Sequence, residues 1–325
     1  MLKKEQPSRS LEFWPMQRSR YVCCLDGVPY RTDQIGGKAA SLSRLRALDA
    51  PVPPALAVTT DAYRLHVQRL GIPERASAVA DSALAEIRAR IVSDPIPTEI
   101  LGAVLDGLTT IDAGNTLAVR SSATTEDSPK FSFAGLHDTA LAVDDNPAAI
   151  ELAIKTCWAS LWSERSVDYR RRGGEALDAA AMAVVVQQLV RSDVSFVAFS
   201  VDPIRDCARR TIISASYGLG EAIVAGLVVP DYIVVGPDGN VEEYQIGSKE
   251  TMVISAPDGG VRQTPVPRML GRQPALSNAQ AGEISRIVTQ LEDRFEMPLD
   301  IEGGIAAGTV HLFQARPITT CFAHA

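Results

Sequence analysis

The run Leu299-Asp-Ile-Glu-Gly-Gly-Ile-Ala-Ala-Gly-Thr-Val-His-Leu-Phe-Gln-Ala-Arg-Pro317 constrains the fold of this chain more than any other stretch. Two strand-like segments, Leu299 to Ile305 and Thr309 to Ala315, flank a small Ala-Ala-Gly turn that ends at Gly308 and predict a β-hairpin. With pairing symmetric about Gly308, Glu302 lies opposite Gln314 and Asp300 lies opposite Arg316. Side chains alternate with period two along a strand, so these four share one face. Two carboxylates, an amide oxygen and a guanidinium on one face form a hard-oxygen cation site beside a phosphate clamp. A magnesium-nucleotide site needs such a set. The plain alternative is a solvated strand face with ordinary cross-strand pairs.

Length and charge bound the classes that remain. A chain of 325 residues buries a sizeable core and holds more than one structural unit. A net charge of −7 argues against nonspecific binding to nucleic acid or to a membrane surface. The cluster Arg170-Arg171-Arg172 reads as the solvated C-terminus of a helix. Five cysteines without a CxxC pair suit reduced, mostly buried thiols, and no apolar signal region follows the first residues. The apolar runs near 182–190 and 221–229 are too short, or carry Glu221, to span a bilayer. A soluble cytoplasmic protein is expected.

Residues 1–20 read as a polar extension, 21–180 as a helix-rich lobe and 181–322 as a strand-rich lobe, with a cleft between the two lobes. In the first lobe, helices are expected over 39–48, 76–92 and 97–108. A longer one starts at Pro147 and ends at Gly173-Gly174, its inner face formed by Ile150, Ile154, Trp158, Leu161 and Trp162. In the second, strands are expected near 183–190, 196–201, 211–214, 232–235 and 241–246. Ser277-Asn-Ala-Gln280 has capping-box spacing and opens a helix to about Phe295.

Several motifs point toward phosphate. Gly36-Gly37-Lys38 at a helix start offers free N–H groups, a positive dipole end and an ammonium, although it is not a Walker A loop. Arg120-Ser121-Ser122, at the end of a buried strand, presents a guanidinium and two hydroxyls; a surface salt bridge is the equal alternative. In the loop Ser132-Phe-Ala-Gly-Leu-His-Asp138, Gly135 permits close approach of a ligand to backbone, and His137 is an acid, a base, a phosphate contact or incidental. Tyr217-Gly-Leu-Gly-Glu221 is a glycine-rich turn without the spacing of the dinucleotide fingerprint. Gln187-Gln188-Leu189-Val190 either lines an adenine pocket or is a strand edge.

Taken in order, these blocks resemble one family. They are Gly36–Leu42, Val52-Pro-Pro54, Ala118–Asp127, Ser132–Gly135, Cys157–Arg165, Tyr217–Glu221, Pro230-Asp231, Gly247-Ser-Lys249, Asp300-Ile-Glu302 and Gln314-Ala-Arg-Pro317. The chain resembles the ATP-binding domain of the phosphoenolpyruvate synthase and pyruvate phosphate dikinase family, which includes the rifampin phosphotransferases. The resemblance runs from Tyr21 to about Thr320. It implies an α+β, ATP-grasp-like fold with ATP between two lobes. By the same carry-over Lys38, Arg120 and Arg316 hold phosphates and are the catalytic cations, and Glu302 and Gln314 bind Mg2+. Gln187, Gln188, Leu189 and Val190 border adenine, and Glu221 contacts the nucleotide. The matching blocks also place Ser121, Thr124 and Gly135 on the nucleotide side. Members of the family cleave ATP to AMP and phosphate and pass the β-phosphoryl group to a histidine on a separate swivelling domain.

Departures from the family pattern bear on function. The sequence stops just after Arg316-Pro317, and the Gly-Gly-x-x-x-His acceptor pattern is missing around His66, His137, His311 and His324. Gly303 stands where the family has tryptophan, and Leu136 where it has glutamine. Three readings follow. The first is the nucleotide-activating half of a split phosphotransferase, with its phosphohistidine carrier or small-molecule acceptor supplied in trans. The second is a self-sufficient ATP-dependent kinase or ligase of specialised metabolism. The third is a catalytically silent nucleotide-binding regulator.

Overall fold

Residues 22–188 contain strands that are apolar on both sides, which forces a sheet covered on both faces. The computed structural model describes residues 19–124, 139–172, 174, 179–203, 209–257 and 259–318. Strands β1 (Val22–Cys24), β2 (Ala55–Val58), β3 (Thr116–Ala123), β4 (Thr139–Asp144) and β5 (Met182–Gln188) form a five-stranded sheet in the order β1-β2-β5-β3-β4. Every pairing in it is antiparallel. Helix α1 (Thr32–Ala47) covers one face, where Ile35, Ala39, Leu42 and Leu45 share a core with Ala55, Ala57 and Val185. The other face is covered by α2 (Thr60–Arg69), α3 (Leu84–Ser93), α4 (Thr98–Ile111), α5 (Pro147–Ser160) and α6 (Glu164–Arg172). There Leu56, Val58, Val184 and Val186 pack with Ile91, Ile100 and Trp158.

The second sheet is built from β6 (Val194–Phe199), β7 (Thr211–Tyr217), β8 (Asp231–Val235) and β9 (Val241–Gln245), together with the terminal hairpin. Between β7 and β8 lies a single turn of helix, α7 (Glu221–Val224), and after β9 a ribbon, β10 (Thr251–Ser255) with β11 (Val261–Pro265). Helix α8 (Asn278–Phe295) carries the expected capping box and backs this sheet through Ile284, Val288, Leu291 and Phe295. The hairpin strands β12 (Leu299–Ala306) and β13 (Thr309–Pro317) complete the order β13-β12-β6-β7-β8-β9. The two sheets, with α1 packed against β3, β5 and β13, make a two-lobed, ATP-grasp-like α+β fold. Among the described residues no helix is long and apolar enough to cross a membrane.

Four sequence expectations change in physical detail. β5 is the middle strand of the first sheet, so the chain crosses to the second sheet over residues 189–193 rather than near 180. The long helix from Pro147 is two helices, because the Ser163 hydroxyl accepts from the Ser166 amide at 3.2 Å and starts a new one. The helix expected over 76–92 begins only at Leu84, after two short 3-10 turns. Arginine explains that delay: Arg171 donates to the carbonyls of Ala76 and Val79, and Arg170 to that of Glu74. Arg170 is therefore no solvated helix end but fully buried, stacked 5.2 Å from the Trp162 ring. The β10–β11 ribbon had no sequence expectation.

Two of the family blocks acquire a structural role here. Asp231 and Lys249 form an ion pair with no exposed side-chain surface. The remaining Asp231 valences are met by the amides of Gly247 and Ala275 and by the Tyr244 hydroxyl. The pair ties three segments of the second lobe together.

Candidate functional site

A cavity of about 520 Å³ opens between the two sheets, within the size range of small-molecule sites. One of its walls is the hairpin. The chain reverses through two residues, Ala307 (φ 48°) and Gly308 (φ 78°), whose positive φ values suit a tight hairpin turn. Ala306 pairs with Thr309, so the turn is one residue shorter than expected. An extra residue in β13, Phe313, then shifts the register back. Past that bulge Glu302 pairs with Gln314 and Asp300 with Arg316, as the sequence predicts. The bulge also lets consecutive residues Phe313 and Gln314 both face the cavity.

The opposite wall comes from the first lobe. Gly36 (φ 73°, ψ 172°) breaks α1 so that its regular turns restart at Gly37-Lys38-Ala39. A side chain at Gly36 would stand 2.0 Å from the Ser122 carbonyl oxygen, so the glycine permits the helix start to press onto β3. The Ser122 hydroxyl fixes that contact, donating to the Ile35 carbonyl at 2.8 Å and accepting from the Ala39 amide at 3.1 Å. Lys38 lines the cavity as a result. Arg120, on the same face of β3, crosses to the hairpin. Its guanidinium donates to the Phe313 carbonyl at 2.7 Å, to Glu302 Oε2 at 2.9 Å and to Gln314 Oε1 at 3.2 Å. Arg316 lines the same cavity.

The far end is apolar and amide-rich. Gln187 is buried, with its amide 3.5 Å from the Pro53 carbonyl, and Leu189 and Val190 continue the wall. Gln188 also borders the cavity, but its amide nitrogen lies close to Gly114. Glu221 stands at the rim on α7.

Not every expected residue reaches the cavity. Ser121 is turned by strand alternation toward the face covered by α2 to α6; it is buried, and its hydroxyl has no partner. Ser122, the second hydroxyl expected there, is consumed by the α1 contact. Thr124 instead joins the start of β5, its hydroxyl accepting from the Ala181 amide at 3.2 Å. Gly135 and His137 lie outside the described residues. Thr139 was missed: it is the cross-strand partner of Arg120 and lines the cavity. Its only signal was register, which no local pattern reveals across a long connection.

The donor set can be tested against a divalent ion. Among the described residues no cluster of three or more His, Cys, Asp or Glu residues could hold a metal. Glu302 and Gln314 supply one carboxylate and one amide oxygen, and Asp300 Oδ1 is buried without a partner beside them. Burial, and then the Glu302 carboxylate, push the Asp300 carboxyl up to about 6 against the pull of Arg316. Hard oxygens, one or two of them carboxylates, with room for phosphate oxygens suit Mg2+ and not zinc. The residues present fit that ion.

Gly303, where the family has tryptophan, is explained by its neighbour. It pairs with Phe196 of β6, and a Cβ built on Gly303 would lie 2.4 Å from the Phe196 ring. The Phe196 ring, fully buried on the adjacent strand, fills the space beside Gly303.

Comparison with known proteins identifies the family. The model of the pyruvate phosphate dikinase AMP/ATP-binding domain matches residues 32–324. A rifampicin phosphotransferase of Streptomyces sviceus is 40% identical over 89% of this chain and 34% of its own length. A probable phosphoenolpyruvate synthase of Methanocaldococcus jannaschii is 32% identical over 93% of the chain and 27% of its own length. A prodigiosin synthesizing transferase, PigC, of Serratia marcescens is 36% identical over 88% and 32% respectively. The chain spans about a third of the length of these relatives. With a matched region that takes in both walls of the cleft, this chain belongs to the pyruvate phosphate dikinase AMP/ATP-binding domain family.

Proposed function

We propose that the chain is the nucleotide-activating unit of an ATP-dependent phosphotransferase of the dikinase type. It binds ATP with Mg2+ in the cleft, and the β-phosphoryl group passes to a histidine of a carrier domain, or to a small molecule, supplied by another chain or another part of a longer protein. AMP keeps the α-phosphate, and the γ-phosphate leaves as phosphate with the uptake of one water.

The observation that carries this reading is that Lys38, Arg120 and Arg316 line the same cavity as Glu302 and Gln314. Phosphoryl transfer asks little covalent chemistry of the protein; it asks for fixed positive charge around the transferring group. Lys38 supplies a point charge at a helix start, where the N–H groups add to it. Arg120 and Arg316 supply planar forks suited to phosphate oxygens. Glu302 and Gln314, with Asp300 beside them, would hold Mg2+, which neutralises phosphate charge when bound. Gln187 and the Leu189–Val190 wall take the base, and Glu221 closes the rim.

A second reading has its own support. PigC is named a prodigiosin synthesizing transferase, and that likeness supports the alternative, a self-sufficient ATP-dependent kinase or ligase acting on a small molecule in specialised metabolism. Product analysis decides. The chain is incubated with Mg2+ and ATP, alone and with candidate acceptor proteins or small molecules. AMP plus phosphate, dependent on an acceptor, is the expected result. ADP would favour the alternative, and absence of both turnover and nucleotide binding would overturn both readings.

A further inference from the structure

We infer that Ser192 reads the sugar of the bound nucleotide, donating to or accepting from a ribose hydroxyl; this rests on the nucleotide reading of the cleft given above. Ser192 lines the cavity, is 8% exposed, and its hydroxyl has no hydrogen-bond partner. A buried hydroxyl left without a partner is costly, and its location beside a ligand cleft supplies a reason for it.

Position selects the part of the ligand. On one side, the Ser192 amide donates to the Val190 carbonyl at 3.0 Å, which folds the residue back beside the Leu189–Val190 wall. On the other side, the Ser192 hydroxyl stands over Gly304, 2.2 Å from where a Cβ on that residue would lie. Gly304 is two residues from Glu302 along β12, on the same face. Ser192 therefore sits between the wall assigned to the base and the carboxylate assigned to the phosphate end. In a nucleoside triphosphate the group between base and phosphates is the sugar. Its vicinal hydroxyls are donors and acceptors that one serine hydroxyl can meet by rotation about a single bond. The glycine at 304 is what leaves room for Ser192 there.

The experiment is a binding cycle. Dissociation constants are measured with Mg2+ for ATP, 2′-deoxy-ATP and 3′-deoxy-ATP, on the wild type and on Ser192→Ala. In the wild type, at least one deoxy analogue is expected to bind weaker than ATP by a factor of roughly 2 to 12, the range of one uncharged hydrogen bond. Ser192→Ala should weaken ATP by the same factor and bind that analogue as tightly as ATP. Ser192→Gly is read the same way should the alanine variant fail to fold. Equal binding of all three nucleotides to the wild type, or discrimination that survives in the variants, overturns the inference while leaving the nucleotide reading intact. A wild type that binds none of the three overturns both.

Discussion

Arg120→Ala tests the join between fold and chemistry, because one guanidinium spans the two lobes. The substitution removes hydrogen bonds to the Phe313 carbonyl, to Glu302 and to Gln314. The two neutral acceptors line the cavity, where water can take the place of the lost donor, so the loss concentrates in the ion pair with Glu302. Its partners are 13% and 25% exposed, neither fully buried nor freely solvated. A hydrogen bond to a charged group contributes about 1.5–3 kcal/mol, and partial solvent screening moves this pair toward the low end, about 2 kcal/mol. With a urea slope of about 3 kcal/mol per molar, the unfolding midpoint should fall by roughly 0.7 M. Turnover should fall further than stability explains, by about 10²–10³, the effect of removing one preorganised charge donor. Arg120→Lys separates the two roles: a point charge restores part of the stability, but without the planar fork it does not restore turnover. Equilibrium unfolding and product release are measured on the same preparations. An alanine variant that unfolds at the wild-type midpoint and turns over ATP at the wild-type rate would refute the assignment.

Other expectations follow from single contacts. Ser122→Ala removes both hydrogen bonds that hold the α1 start, costs about 1–2 kcal/mol and weakens nucleotide binding through the displaced Lys38; unchanged affinity in a titration would count against that link. Phe196→Ala should cost about 3–5 kcal/mol as a cavity, and Gly303→Leu about 1–3 kcal/mol by overpacking. The double substitution should cost less than the sum, and an additive result in urea unfolding would show that the two positions do not share one space. His66 gives the pH dependence. Desolvation lowers its pKa below the ordinary value of 6.5, while Nε2 lies 3.2 Å from the Ile91 carbonyl. The unfolded chain then binds more protons between the folded pKa and about 6.5, so stability is full above that value and is lost as pH falls through the window. His66→Leu should flatten this slope in unfolding curves taken between about pH 7 and 5; a slope that persists would place its source elsewhere.

What a single strand pair can encode, the sequence alone determined. Period-two alternation and a short turn place Glu302 beside Gln314 and Asp300 beside Arg316, and the hairpin has those pairs. Even there the turn is shorter than expected and a bulge at Phe313 compensates, because pairing register depends on both together. The capping box at Ser277 and the apolar face around Trp158 were equally local and equally legible. Tertiary structure decided the rest, since partners far apart in sequence leave no periodic trace. Arg120 meets Glu302 across 182 positions, and Ser122 meets Ile35 across 87. The same separation turns Arg170 from an apparent surface charge into a buried clamp, and lets Phe196 fill the space beside Gly303. Residue types pointed toward phosphate; only the packing of α1, β3 and the hairpin around one cavity decided which hydroxyls, amides and charges face it.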